Sequence, residues 1–85
     1  MSKVIEKVYD RGLAHVVELN DELYYIDSTD IFDAGFETMV FAAERQPDGE
    51  LDINWTDLYC ERYSTVGAME IKHNYIINHL EEFLN

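Results

Sequence analysis

Carboxylate side chains recur every three residues at Asp27, Asp30 and Asp33, and Glu37 follows close behind. Hard cations such as calcium bind several oxygen ligands from one loop, so this segment is a candidate metal- or ligand-binding site. Its spacing does not match the EF-hand loop, and two large apolar residues interrupt it. A solvated turn, in which Asp side chains bond to nearby amides, is the favoured interpretation, and no metal or cofactor is assigned.

Histidine and cysteine, the residue types that often act as general bases and nucleophiles, are few in this chain. There are three histidines and a single cysteine, Cys60, so neither an internal disulfide nor a thiolate zinc cluster can form. His73 lies on the apolar side of a predicted helix, which favours a half-buried ring bonded to a neighbour. Cys60 alternates with Leu58 and Arg62 on a predicted strand, which favours a buried, inert thiol. We expect no catalytic residues and no enzyme activity, because no signature of a cysteine enzyme is present.

Acidity is the most informative property of the composition. The 85 residues include 18 acidic and 6 basic side chains, for a net charge of -12. Residues 1–20 sum to zero, so the whole imbalance falls in residues 21–85. Such a field repels phosphate, which argues against direct binding to nucleic acid or to anionic membranes. The acidity is compatible with a protein partner that has a basic surface, and equally with a role in solubility alone.

Aromatic residues are numerous for so short a chain, with four Phe, six Tyr and one Trp. A core of this size cannot bury every ring, and exposed aromatic residues beside acids suit protein binding. Ordinary cross-strand packing is the alternative. The candidate protein-interaction surface consists of Tyr24, Asp27, Asp30, Asp33, Asp52, Trp55, Asp57 and Tyr59.

Short β-prone segments separated by turn residues predict a meander of strands. Asn20-Asp21 suits a two-residue hairpin turn, and Gln46-Pro47-Asp48-Gly49 is the clearest turn in the chain. Residues 51–57 are ambiguous, either irregular or one short helical turn anchored by Trp55. The predicted strands are 3–9, 13–19, 22–27, 36–43 and 58–63.

The C-terminal segment predicts a helix that begins near Val66, with Ser64 or Thr65 as its N-cap. Its apolar positions are spaced alternately by three and four residues, with His73 filling one of them. This stripe is formed by Val66, Met69, His73, Ile76, Leu80 and Phe83.

These elements together predict an α+β fold, an antiparallel sheet of four to five strands in meander order with one C-terminal amphipathic helix packed on a face. The length suits a single domain spanning 1–85. The N-terminus lacks a secretion signal, and no stretch approaches the roughly 18 apolar residues of a membrane span. We expect a cytoplasmic protein, in a host cell.

The hexamer FETMVF, residues 36–41, reads as a strand with apolar residues on both faces, so it should be central in the sheet. Glu37 is the one charged residue in this hexamer. Arg62 is one of only three basic residues after position 20. We predict a Glu37–Arg62 pair that links the fourth and fifth strands.

The same hexamer is followed by ERYST, residues 61–65, and then by His73. This combination resembles a family of short, acidic, uncharacterised proteins encoded by phages, prophages and mobile elements of Gram-positive bacteria. The resemblance covers roughly residues 30–77. Val66 and Gly67 replace the acids that usually follow the Thr, and Lys72 replaces the small residue before the His. The resemblance implies a mobile-element origin and brings no established activity.

Three hypotheses for function follow. The first is a small acidic protein-interaction module, in its sharper form an antagonist that mimics nucleic-acid charge. The second is an accessory structural or assembly component of a phage or element. The third is a metal- or ligand-binding protein that uses the Asp27–Glu37 segment. The oligomeric state stays open between monomer and homodimer, with the first strand or the helix surface at Ile71 and Tyr75 as candidate contacts.

Overall fold

Five antiparallel strands and one helix make up the computed structural model, which describes residues 2–9 and 13–84, with only the backbone of residues 6–9. Each strand pairs with the next along the chain, which gives the order β1-β2-β3-β4-β5. The fold is therefore the predicted α+β meander, with the C-terminal helix packed against the sheet. The strands are β1 (Lys3–Tyr9), β2 (Leu13–Leu19), β3 (Glu22–Asp30), β4 (Phe36–Arg45) and β5 (Leu51–Tyr63), and helix α1 is Val66–Asn78.

Tight turns fix the register between strands. Asn20 and Asp21 both adopt positive φ, 54° and 67°, and join β2 to β3 as the predicted two-residue hairpin. The predicted turn at residues 46–49 joins β4 to β5, with the Gly49 amide bonded to the Gln46 carbonyl at 2.9 Å. These two turns lie at the same end of the sheet, because successive strands run in opposite directions.

The prediction for residues 51–57 was wrong, since this segment is the first half of the long strand β5. Two irregularities interrupt its register with β4, between the pairs Val40–Tyr59 and Phe41–Asp57 and again before Ala43. Bulges of this kind add unpaired residues and bend a strand. The bulges break the alternation of side chains along this segment, so the sequence alone suggested irregular structure. Pairing with β4 makes the segment a strand.

The sheet has two apolar faces, as the hexamer of residues 36–41 predicted. On the helix face, Val17, Ile26 and Val40 pack against Ile76 and Leu80. The second face carries its own buried cluster, formed by Ala14, Val16, Tyr25 and Phe41.

The exposed indole of Trp55 closes over part of the second face. Its ring centroid lies 5.1 Å from that of Phe41 and 6.2 Å from that of Tyr25, in edge-to-face contacts. This packing explains how Trp55 anchors a bulged strand while remaining largely exposed.

Helix α1 begins at its predicted cap, where the Thr65 hydroxyl accepts a hydrogen bond from the Ala68 amide at 3.1 Å. It ends earlier than the predicted stripe, and Leu80 lies in a separate 3₁₀ turn, Leu80–Glu82. The outward face carries the exposed Ile71 and Tyr75, so apolar residues occupy more than the buried stripe. Among the described residues, no helix has the length and apolar character to cross a membrane.

Candidate functional site

The eight residues of the predicted interaction surface are distributed over the whole sheet. Asp30 and Asp33 lie at the β3–β4 end, whereas Asp52 lies at the opposite end beside Glu44. Tyr24 and Tyr59 pack against the core of the helix face. Asp27, Trp55 and Asp57 belong to the second face or its rim.

The carboxylates of the Asp27–Glu37 segment have other partners. Asp30 Oδ1 accepts a hydrogen bond from the Phe32 amide at 2.8 Å, which is the local turn bonding that the sequence favoured. Glu37 Oε2 accepts from Arg62 Nε at 3.1 Å, which confirms the predicted pair between β4 and β5. Within the described residues, no group of three or more His, Cys, Asp and Glu side chains is arranged to hold a metal ion.

Acidic side chains converge instead at the end of the sheet that holds the two hairpin turns. An open groove of about 770 Å³ lies there. Glu18, Asp21 and Glu22 line it from the β2–β3 hairpin, and Glu44 lines it from the β4–β5 hairpin. Arg45 is the one basic residue of this lining. We call this cavity the hairpin groove.

The floor of the hairpin groove is largely apolar. It is formed by Leu23, Tyr24, Ala42, Ala43 and Leu58, the last of which is about half exposed. Partial burial and a hydrogen bond from its hydroxyl to Glu22 Oε2, at 3.0 Å, raise the pKa of Tyr24. Arg45 Nη1 donates to the Gly49 carbonyl at 3.1 Å, so its guanidinium is partly directed to its own turn.

Sequence reasoning included Tyr24 in the candidate surface and missed the groove carboxylates at positions 18, 21, 22 and 44. The predicted meander order of the strands could have revealed the groove. Alternate turns of an up-and-down sheet lie at the same end, so acids next to residues 20–21 and 46–49 have to be neighbours in space.

A second constellation lies inside the protein between the sheet and α1. Thr38 Oγ1 and Ser28 Oγ are 2.6 Å apart, and Ser28 Oγ is 2.6 Å from His73 Nδ1. His73 Nε2 lies 2.8 Å from His15 Nδ1, which continues the series onto β2. We call this series of hydrogen bonds the polar chain. It joins three strands to the helix.

The polar chain is largely buried, which determines the protonation of His73 and keeps the chain from contact with a substrate. Ser28, Thr38 and His73 have no exposed surface, so His73 is fully buried rather than half-buried as predicted. Burial, and to a lesser extent the neighbouring His15, lowers the pKa of His73 to about 4. The imidazole is therefore neutral near pH 7, with one ring nitrogen donating and the other accepting. A Ser–His contact resembles a nucleophile and its base, yet this one has no exposed atom to meet a substrate.

Cys60 differs from its expected state, because the structure places it on the exposed side of β5. Partial burial of its sulfur and the nearby Glu37 carboxylate raise the pKa of this thiol, which keeps it protonated.

Comparisons of the chain with models of known families, with curated proteins and with solved structures found no match. The resemblance to the phage and mobile-element family therefore stays a prediction.

Proposed function

We propose that this protein is a small acidic protein-interaction module that binds a basic surface of another protein through the hairpin groove. The observation that carries the proposal is the convergence of four carboxylates from two hairpins around an apolar floor. All charged residues of the groove except Glu18 belong to residues 21–85, the part of the chain that holds the entire -12 net charge.

The groove suits Lys and Arg side chains of a protein partner. Such side chains combine an apolar stem with a charged head, so the stem can pack on Tyr24 and Leu58 while the head meets a carboxylate. Phosphate groups are disfavoured at the same place because they share the sign of the groove.

In its finer form, the proposal is an antagonist that presents its carboxylates in place of nucleic-acid phosphates to a nucleic-acid-binding protein. The resemblance to proteins of phages and mobile elements motivates this form, since acidic decoys would act on a host protein. Its specific consequence is competition: duplex DNA and the acidic protein should displace one another from the partner.

Affinity capture with a groove variant tests the proposal. Glu18→Gln, Glu22→Gln and Glu44→Gln together remove three charges from the hairpin groove while keeping hydrogen-bonding groups. Wild-type protein should retain a nucleic-acid-binding protein from a Gram-positive host lysate at low salt and release it at about 0.5 M salt. The triple variant should lose the partner.

A second triple variant controls for net charge. Asp33→Asn, Glu70→Gln and Glu81→Gln remove the same number of charges from exposed positions outside the groove. This variant should retain the partner. Recovery of no basic partner at low salt, or equal loss with both variants, would contradict the proposed function and favour acidity that serves solubility.

A further inference from the structure

Strand β5 forms one free edge of the sheet, since the strand order places it outside β4 with no further strand among the described residues. In an antiparallel pair, alternate residues direct their backbone N–H and C=O groups away from the partner strand. Such an edge can accept another strand unless bulges or charges protect it.

The two edges of the sheet differ in protection. In β1, an irregularity follows Val4, and Lys3 adds charge at the start of the strand. In β5, irregularities are confined to the part before Tyr59. From Tyr59 to Tyr63 the register with β4 is unbroken, which leaves a regular five-residue edge.

An apolar groove lies directly beside this regular edge. It has a volume of about 500 Å³ and is lined by Tyr63, the last residue of β5, and by Ala68, Ile71, Lys72 and Tyr75. The helical positions are separated by three and four residues, so they share one side of α1. We call this cavity the helix groove.

Contacts to β5 and to the C-terminal turn hold the side chains around the helix groove. Lys72 Nζ lies 3.5 Å from Glu61 Oε1, and the Tyr75 hydroxyl donates to Glu82 Oε1 at 2.6 Å. Ile71 contributes no such contact and is 75% exposed. A groove with the exposed apolar side chain of Ile71 therefore lies next to the free edge of β5.

We propose that an extended segment of a basic protein adds to the sheet as a sixth strand along residues 59–63 of β5. Side chains of such a segment alternate between the two faces. One apolar side chain enters the helix groove, and a basic side chain on the other face reaches Asp57. Main-chain hydrogen bonds supply affinity, and the two kinds of side chain supply specificity.

Charge selects a basic partner over a second copy of this chain. β5 carries Asp52, Asp57 and Glu61 against Arg62. Two copies joined along β5 would bring together two such strands and two net charges of -12. A basic segment that continues past Tyr59 also reaches Leu58, which belongs to the hairpin groove.

The inference rests on the proposed function only in taking the partner to be a basic protein, and a defined peptide tests it separately. The probe is a capped peptide, Lys-Val-Lys-Leu-Lys-Val-Lys, added to ¹⁵N-labelled protein. Amides of residues 59–63 should shift, and the alternate amides that face away from β4 should gain protection from hydrogen exchange. A peptide with Pro in place of Leu, which lacks a donor and the apolar anchor, should bind at least about tenfold more weakly.

A matched pair of variants locates the site. Ile71→Lys places a charge in the helix groove and should weaken peptide binding by about tenfold or more. Val4→Lys makes the same change at an exposed apolar residue of β1 and should leave binding unchanged. Circular dichroism of both variants checks that they are folded.

Three results would overturn strand addition: peptide binding insensitive to Ile71→Lys, protected amides elsewhere than 59–63, or a homodimer in light scattering that Ile71→Lys dissociates. The last result would show that a second copy of this chain, and not a basic partner, occupies the helix groove. Loss of lysate partners with the groove triple variant but not with Ile71→Lys would keep the interaction module while refuting its strand-addition mode.

Discussion

His15 Nδ1 and His73 Nε2 lie 2.8 Å apart, a distance at which the two rings share one hydrogen bond. Only one proton fits between the two nitrogens, so the contact requires at least one neutral imidazole. His73 is that ring, because burial and the proximity of His15 lower its pKa to about 4. Ser28 Oγ lies 2.6 Å from its other nitrogen, so both ring nitrogens of His73 take part in the polar chain.

Acid should therefore destabilise the protein through His73. The pKa of an unfolded His is about 6.5, whereas that of folded His73 is about 4. The contribution is fully present above about pH 6.5, is lost progressively as the pH falls to about 4, and is constant below both values. Between pH 7 and pH 5 the loss should be on the order of 2 kcal/mol in urea unfolding experiments.

The variant His73→Gln should remove this pH dependence, because an amide can still bond to Ser28 but does not titrate. His79→Gln is the matched control, since His79 is only partly buried and contacts the helix end. It should keep the loss between pH 7 and pH 5. An unchanged slope in His73→Gln would show that other groups dominate the acid response.

Removal of the Ser28 hydroxyl should destabilise the fold. Ser28→Ala leaves both His73 Nδ1 and Thr38 Oγ1 without their hydrogen-bond partner in a buried site. The expected loss in the free energy of unfolding is about 1–3 kcal/mol. Thr56→Val, at an exposed hydroxyl, should change stability by no more than about 0.5 kcal/mol. Equal effects of the two variants would contradict a role for the polar chain.

Gly35 should resist substitution for reasons of space and backbone conformation. It has a φ of +96°, and an added Cβ would lie 2.6 Å from the Tyr63 carbonyl oxygen. Gly35→Ala should lower the midpoint of thermal unfolding, with a loss of about 1–3 kcal/mol. In Gly67→Ala the new Cβ meets nothing within 4 Å inside a helix. That variant should gain up to about 1 kcal/mol, and a loss there equal to that at Gly35 would refute the steric argument.

The helix cap offers a comparison of adjacent hydroxyls. Thr65→Ala removes the acceptor for the Ala68 amide and should cost about 1 kcal/mol in chemical denaturation. Ser64→Ala removes a neighbouring hydroxyl that does not cap the helix, so the change should be smaller than about 0.5 kcal/mol. A reversed order would assign the cap to Ser64.

The Glu37–Arg62 pair should contribute little to stability despite its good geometry. Arg62 is 67% exposed, so solvent screens its attraction to the largely buried Glu37. A double-mutant cycle with Glu37→Gln and Arg62→Gln should give a coupling of less than about 1 kcal/mol, which salt reduces further. A coupling that is larger and independent of salt would show that the pair acts as a buried one.

Much of the fold could be predicted because its signals are local. Asn20 and Asp21 tolerate positive φ, and the apolar spacing after Val66 follows helical geometry. Residues 51–57 misled prediction because bulges break the alternation on which strand recognition depends. Packing of Trp55 against the rings of Tyr25 and Phe41, a long-range contact, stabilises that strand.

The sequence by itself determined the acidity of the chain, the meander, the C-terminal helix and the Glu37–Arg62 pair. These depend on composition, on neighbouring residues or on the register of adjacent strands. Only the tertiary structure decided that carboxylates from two hairpins share one groove and that Thr38, Ser28, His73 and His15 form one buried series. Both arrangements join residues far apart in the chain, and their distances are set by how the helix and the turns pack on the sheet.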